Sequence, residues 1–195
     1  MTRAGGEIPL ASRTTALILA PTRTREAHVQ IAVQVEPAGG TPAPVEYRWD
    51  TDTAILSAHV ADHGNGSGMS GSVEVAGNDG SWLTLDVNGG RVRGVEVAVW
   101  PDVRKQSALR PPAEVEAARI LVPPRSGDAG VAVLQMDTVL VAEANPEEST
   151  IHFRLGARRA ARTVRIARDV LLDLDEHDVL SGIWLLNVPP FPADE

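Results

Sequence analysis

The residues best suited to chemistry fall in one stretch, 154–178. Arg154, Arg158, Arg159, Arg162, Arg165 and Arg168 form the only basic concentration in the chain, with no acid among them. Guanidinium forks match phosphate oxygens in geometry and charge, so this run could grip phosphate or RNA. It has no interleaved aromatics for base stacking, apart from Phe153 at its edge. The plainer account is an arginine-rich hairpin that pairs with acids elsewhere or with an acidic protein partner. The densest acidic run follows at once, DVLLDLDEHD over 169–178. Asp173, Asp175, Glu176 and Asp178 offer the several oxygens that Ca²⁺ or another hard cation needs. The glycine and distal glutamate of an EF-hand loop are missing, however. A solvated turn whose carboxylates hold backbone N–H groups explains the same residues.

Other chemistries find less support. The five histidines, His28, His59, His63, His152 and His177, show no HxH or HExxH spacing. Ser67, Ser70 and Ser81 sit beside glycines, but none lies in a G-x-S-x-G elbow. The glycine-rich stretches at 64–68 and 88–90 do not precede a helix, so no phosphate cradle is indicated. With no cysteine, disulfides, thiolate metal sites and a cysteine nucleophile are excluded. No cofactor is implied.

The formal charge of −8 and pI near 5.1 disfavour a general nucleic-acid or anionic-membrane surface. Lys105 is the sole lysine, and with abundant Ala, Gly, Pro and Val this reads as GC-rich bacterial codon usage rather than chemistry. No stretch approaches the roughly 20 apolar residues of a membrane helix. The apolar run at 16–20 is also too short for a secretory segment, so a cytoplasmic protein is expected. Aromatics are only 4% of residues, so the core must be built from Val, Leu, Ile and Ala.

These residues must be positioned by strands. Apolar alternation is clear over 28–35 and 92–99, and 45–49 and 54–60 flank an Asp50-Thr51-Asp52 turn. Asn88-Gly89 predicts a type I′ hairpin turn, whose two central residues need positive φ. A similar hairpin recurs around 173–185, again followed by a proline. Residues 16–29 and 118–131 match at Ala16/Ala118, Ile18/Ile120, Leu19/Leu121, Pro21/Pro123, Arg23/Arg125, Ala27/Ala129 and Val29/Val131. Colinear correspondences follow: Asp86 with Asp173, Gly94 with Gly182, Pro101 with Pro189. We read this as a tandem duplication, with 14–103 as copy one, 104–115 as a connector and 116–190 as copy two. The comparison makes 115–122 a strand rather than a helix, because Arg13 to Leu19 is poor helix material. At the last strand, Glu96 faces Trp184 in the alignment. Copy two is therefore expected to be buried on both faces there.

Both hairpin regions resemble domain-of-unknown-function family 2283. The resemblance rests on Trp49-Asp50-Thr51-Asp52-Thr53-Ala54-Ile55-Leu56, Leu85-Asp86-Val87-Asn88 and Gly94-Val95-Glu96-Val97. In copy two it rests on Thr150-Ile151-His152-Phe153, Leu172-Asp173-Leu174-Asp175 and Gly182-Ile183-Trp184-Leu185. It covers about half of each copy, Trp184 replaces the family's usual glutamate, and it implies no catalytic residues.

The expected fold is mainly β, with little helix: two related antiparallel units of six or seven strands packed about a pseudo-twofold into one body. Any turn of helix should fall in 102–118. The expected function is non-enzymatic binding of a protein partner or of another copy of the chain. The alternatives are a small-molecule or metal-dependent enzyme with a site between the copies, using Asp86 and Asp173, and a phosphate or nucleic-acid binder through 154–168.

Overall fold

The computed structural model describes residues 30–61, 68, 70–123 and 131–192. The apolar run at 16–20, His28 and His63 lie outside them. Fourteen strands are present and, among the described residues, no helix. The first seven are β1 (Gln34–Pro37), β2 (Val45–Asp50), β3 (Ile55–Val60), β4 (Ser70–Gly77), β5 (Trp82–Asn88), β6 (Arg91–Val99) and β7 (Val103–Lys105). The second seven are β8 (Glu116–Leu121), β9 (Val131–Thr138), β10 (Leu140–Ala144), β11 (Thr150–Leu155), β12 (Arg162–Ala167), β13 (Val170–Leu174) and β14 (Leu180–Leu186). Residues 116–121 thus form a strand, as the comparison of the halves required. The connector holds no helix; its Val103–Lys105 segment pairs in parallel with β10.

All strands belong to one curled, mixed sheet. Its main path runs β7-β10-β11-β14-β13-β12-β8-β6-β5-β4-β9, with β1 on β8 and β2 on β3. The purely antiparallel expectation is corrected at three places, because β7–β10, β8–β12 and β4–β9 run parallel. Two regions define how the halves join. β9 lies along β4 through eight paired positions, and β8 sits between β12 and β6. Strands from the second half therefore extend the sheet of the first. Only Val139 separates β9, at one end of the path, from β10, near the other, so the sheet must curl.

Curling puts one face of most strands inside, whereas all three residues of β7 are exposed. Across the first half and the added β9, Trp49, Leu56, Val97, Leu83, Val75 and Met136 stand opposite one another on successive strands. In the second half, Ala142, Phe153, Ile183, Leu172 and Val164 form the matching row. These rows meet in a single hydrophobic cluster, which is how a chain with so few aromatics assembles a sufficient core.

The outer faces differ. The first-half row Arg48, Ser57, Glu96, Thr84, Glu74, Gln135 is polar, whereas β13 and positions 180–185 of β14 are buried throughout. Glu96 is exposed and Trp184 is buried, as their residue types implied. The β5–β6 turn is a two-residue loop of Gly89 and Gly90, with φ of 57° and 80°, flanked by paired Asn88 and Arg91. The turn therefore centres one residue later than Asn88-Gly89. Positive φ falls on two residues without a Cβ, where it costs least.

The first half also clasps the end of the second. The Tyr47 hydroxyl donates to the carbonyl oxygens of Leu186 (2.9 Å) and Asp169 (3.2 Å), and the Arg168 amide donates to the Ala43 carbonyl. Burial, with a contribution from the Asp169 charge, raises the Tyr47 pKa and keeps the phenol protonated as a donor. We predict that urea unfolds the protein in one transition and that Tyr47→Phe lowers its stability by about 1 kcal/mol. Two separate transitions would show that the halves unfold independently.

Candidate functional site

The two charged runs singled out by sequence meet through two ion pairs. Arg158 binds the Asp175 carboxylate, and Arg162 binds Asp178 at 2.5 Å. Arg154 lies 3.6 Å from Glu143, and Arg165 donates to the Arg168 carbonyl oxygen. Arg159 and Arg168 are exposed. Arg158 and Arg159 line an open depression of about 350 Å³, but Asp175 and Glu176 line it with them. The hairpin geometry explains the pairing, since β12 and β13 are antiparallel neighbours and bring their outer ends side by side.

The four candidate metal ligands do not converge. Asp175 Oδ1 accepts from the backbone N–H groups of His177 and Val179, both at 2.9 Å, in the usual manner of an acid in a turn. Glu176 is exposed, Asp178 faces Arg162 and Asp173 points elsewhere. Among the described residues no three His, Asp or Glu side chains lie close enough to hold a metal ion.

Asp173 instead anchors a buried polar group that its sequence position did not reveal. Its Oδ1 accepts from Thr163 Oγ1 at 2.5 Å. Its Oδ2 takes the Trp184 indole N–H at 3.0 Å and His152 Nε2 at 2.8 Å. A carboxylate only accepts, so His152 carries its proton on Nε2. The His152 and Trp184 rings stack with centroids 3.9 Å apart. Gly182 faces Asp173 on the neighbouring strand and makes the convergence possible. A Cβ there would stand 2.8 Å from Asp173 Oδ2 and 3.0 Å from His152 Nε2.

Burial disfavours the Asp173 charge more than any other single influence. Hydrogen bonds from His152 and Thr163, the His152 charge and the Trp184 indole together outweigh it, so the carboxyl lies below its ordinary value. Asp175 is held low too: against burial stand the Val179 and His177 amides and Arg158. The group's one hydroxyl, Thr163 Oγ1, donates to Asp173 Oδ1, and both carboxylate oxygens are engaged. The arrangement fits locking β11, β12, β13 and β14 together. Asp86, which faces Gly94, is exposed and pairs across to Ser72 on β4. Three strands separate β5 from β13 in the sheet.

The clustered aromatic side chains lie elsewhere, where the halves meet. A cavity of about 190 Å³ is lined by Trp49 and Trp100 from the first half, Val103, then Ala144, Glu148, Ile151 and Pro189 to Phe191. Trp49 and Trp100 stack at 5.7 Å, Phe191 meets Trp49 edge-on at 5.1 Å, and Trp100 lies 5.9 Å from Phe153. Four of the chain's seven Phe, Trp and Tyr side chains are thus gathered in one place.

Local structure positions each wall. Trp49 stands next to last in β2, on the inward side. The turn after it is held by Asp50 Oδ1, which accepts from the Asp52 and Thr53 amides. Trp100 Nε1 donates to the Ala54 carbonyl oxygen on that turn at 2.9 Å. At the far wall, Asn187 with φ of 53° turns the chain out of β14, and the Val188 amide donates to Ser149 O. Trp49 Nε1 then donates to Pro189 O at 3.0 Å. In sequence, Trp49 stands out only within a turn motif and Pro189 only as a strand stop. The signal that could have found the cavity is Pro189-Pro190-Phe191-Pro192 in a chain otherwise poor in aromatics.

Two outcomes test the polar group. Gly182→Ala should destabilise the fold by about 1–3 kcal/mol, since backbone Phe153 O also stands 3.0 Å from the added carbon. Gly94→Ala, whose nearest neighbour would be 3.2 Å away, should cost less. The second outcome concerns pH. Asp173 and Asp175 titrate lower when folded than in the unfolded chain, near pH 4. Their contribution is therefore complete above that value and is lost as pH falls through the folded pKa. Asp173→Asn should lower stability at neutral pH and flatten its decline below about pH 4, as measured by urea unfolding across pH. An unchanged slope would remove Asp173 from that role.

No protein-family model matches the chain, and no curated protein matches it in sequence.

Proposed function

We propose that this chain is a non-enzymatic protein-binding module and that it engages its partner through the aromatic cavity between its halves. The observation that carries this reading is the exposure of apolar surface around that cavity. Phe191 is 44% exposed and Val103 38%, beside the stacked indoles of Trp49 and Trp100. Exposed apolar patches of this kind mark interaction sites, and tryptophan at their centre supplies large contact area at small entropic cost. The ionic groups argue the same way by default. Arg158 and Arg162 are spent on Asp175 and Asp178, which weakens the phosphate or nucleic-acid reading. The Asp173 group has no free oxygen for a substrate.

The proposed origin is duplication of one five-stranded unit. Strand order supports it: β2-β3-β6-β5-β4 and β10-β11-β14-β13-β12 follow the same antiparallel path. Asp86 faces Gly94 in one and Asp173 faces Gly182 in the other. Divergence lets the copies specialise, the first presenting Trp49 and Trp100 while the second supplies the buried polar lock and the tail. The proposed setting is the cytoplasm. Among the described residues no helix is long and apolar enough to cross a membrane.

A photo-crosslinking residue in place of Val103 tests the binding reading in the cells that make the protein. We expect a discrete crosslinked protein, lost with Trp100→Ser and retained with Arg159→Ser. A crosslink indifferent to Trp100, or none at all, would remove the cavity as the interface.

A further inference from the structure

The C-terminal segment shows what kind of ligand the aromatic surface accepts. After β14 the chain leaves the hydrogen-bonded ladder and runs Val188-Pro189-Pro190-Phe191-Pro192 across the indoles. Val188 is buried and fixed to Ser149. Beyond it, the Trp49 indole N–H donates to Pro189 O, supported by the edge-on ring of Phe191. Proline-rich chain has no internal hydrogen bonds, so its carbonyl oxygens are free to accept from a recognising side chain, and it loses little entropy on docking. An aromatic floor with an indole N–H aimed at a proline carbonyl is the chemistry by which extended proline segments are held. Here that chemistry is already made within one chain. Between this segment and the indoles the 190 Å³ cavity remains, lined by Trp49, Trp100, Val103 and Ile151 beneath Pro189 and Pro190.

We propose that the Trp49–Trp100 surface is a docking site for an extended, proline-bearing peptide of a partner protein, and that residues 189–192 occupy it in cis as a displaceable strap. This deepens the protein-binding reading and rests on it. The strap is poised for release, because it has no ladder partner and its Phe191 is 44% exposed. A ligand arriving in trans competes with it, so apparent affinity falls by the fraction of molecules in which the site is open. Loosening the strap must then strengthen binding, an outcome that a merely sticky apolar surface does not produce.

The test titrates an acetylated, amidated peptide of sequence VPPFP into the full chain, read by tryptophan fluorescence and by the indole N–H resonances. Phe191→Ser and Pro190→Gly loosen the strap by different means, so a misfolded variant of one kind leaves the other. Both are expected to bind the peptide at least about tenfold more tightly than the unaltered chain. Adding Trp49→Phe to Phe191→Ser, which keeps a ring but removes the donor, should weaken binding at least about fivefold. A VAAFA peptide should bind no form. Equal affinity for the strapped and loosened chains, absence of binding to all, or equal binding of VAAFA would each overturn the proposal. If the peptide fails while the Val103 crosslink still depends on Trp100, the proline proposal falls and the protein-binding reading stands. If the peptide competes as expected but no crosslink forms, the proline site stands and the reading of a cellular partner falls.

Discussion

The structure depends on one constraint: a core with few aromatics draws its apolar side chains from both halves. With two phenylalanines, one tyrosine and four tryptophans, most inward positions are Val, Leu, Ile or Ala. Side chains alternate across a strand, so each strand gives the core only every second residue. The solution is to curl one sheet until rows from both halves face a common interior. The parallel pairing of β9 with β4 is the seam. Val139, the lone residue between β9 and β10, brings the two ends of the path together.

A curled sheet of this kind leaves its outer face to be settled locally, and the halves settle it differently. The first half places Arg48, Ser57, Glu96 and Thr84 outward, where water can reach the polar groups. At the corresponding register the second half places His152, Trp184 and Leu171 under cover, with Asp173 among them. A buried carboxylate is costly unless its lone pairs find donors. Thr163, His152 and Trp184 provide those donors, and the absent side chain of Gly182 gives them room. The charges of the β12–β13 hairpin follow the same logic at the surface, where Arg158 and Arg162 answer Asp175 and Asp178. The two charged runs seen in sequence are thus joined by two ion pairs.

Joining the halves also creates the aromatic cavity. Neither half owns the aromatic cavity: Trp49 and Trp100 come from one, Ile151 and Pro189 to Phe191 from the other. The clasp of Tyr47 on Leu186 and Asp169 holds the walls in register. The contacts that join the halves therefore also shape the cavity.

Most strands and their turns were legible in the amino-acid order, because alternation, Asp50-Thr51-Asp52 and the 173–185 hairpin are local signals, while the turn signalled by Asn88-Gly89 centres one residue later. The contrast between Glu96 and Trp184 was legible too, since residue type reports burial at a matched register. Which distant groups meet was settled only when the chain folded. Parallel pairing of β9 with β4 depends on how the sheet closes, and no local pattern encodes it. The pairing of arginines with aspartates, the three donors converging on Asp173, and the proline segment lying on Trp49 are contacts between residues 10 to 140 positions apart. Some of these separations are short. Even so, spacing along the chain gives no direction for a side chain until the strands that carry it have been laid side by side.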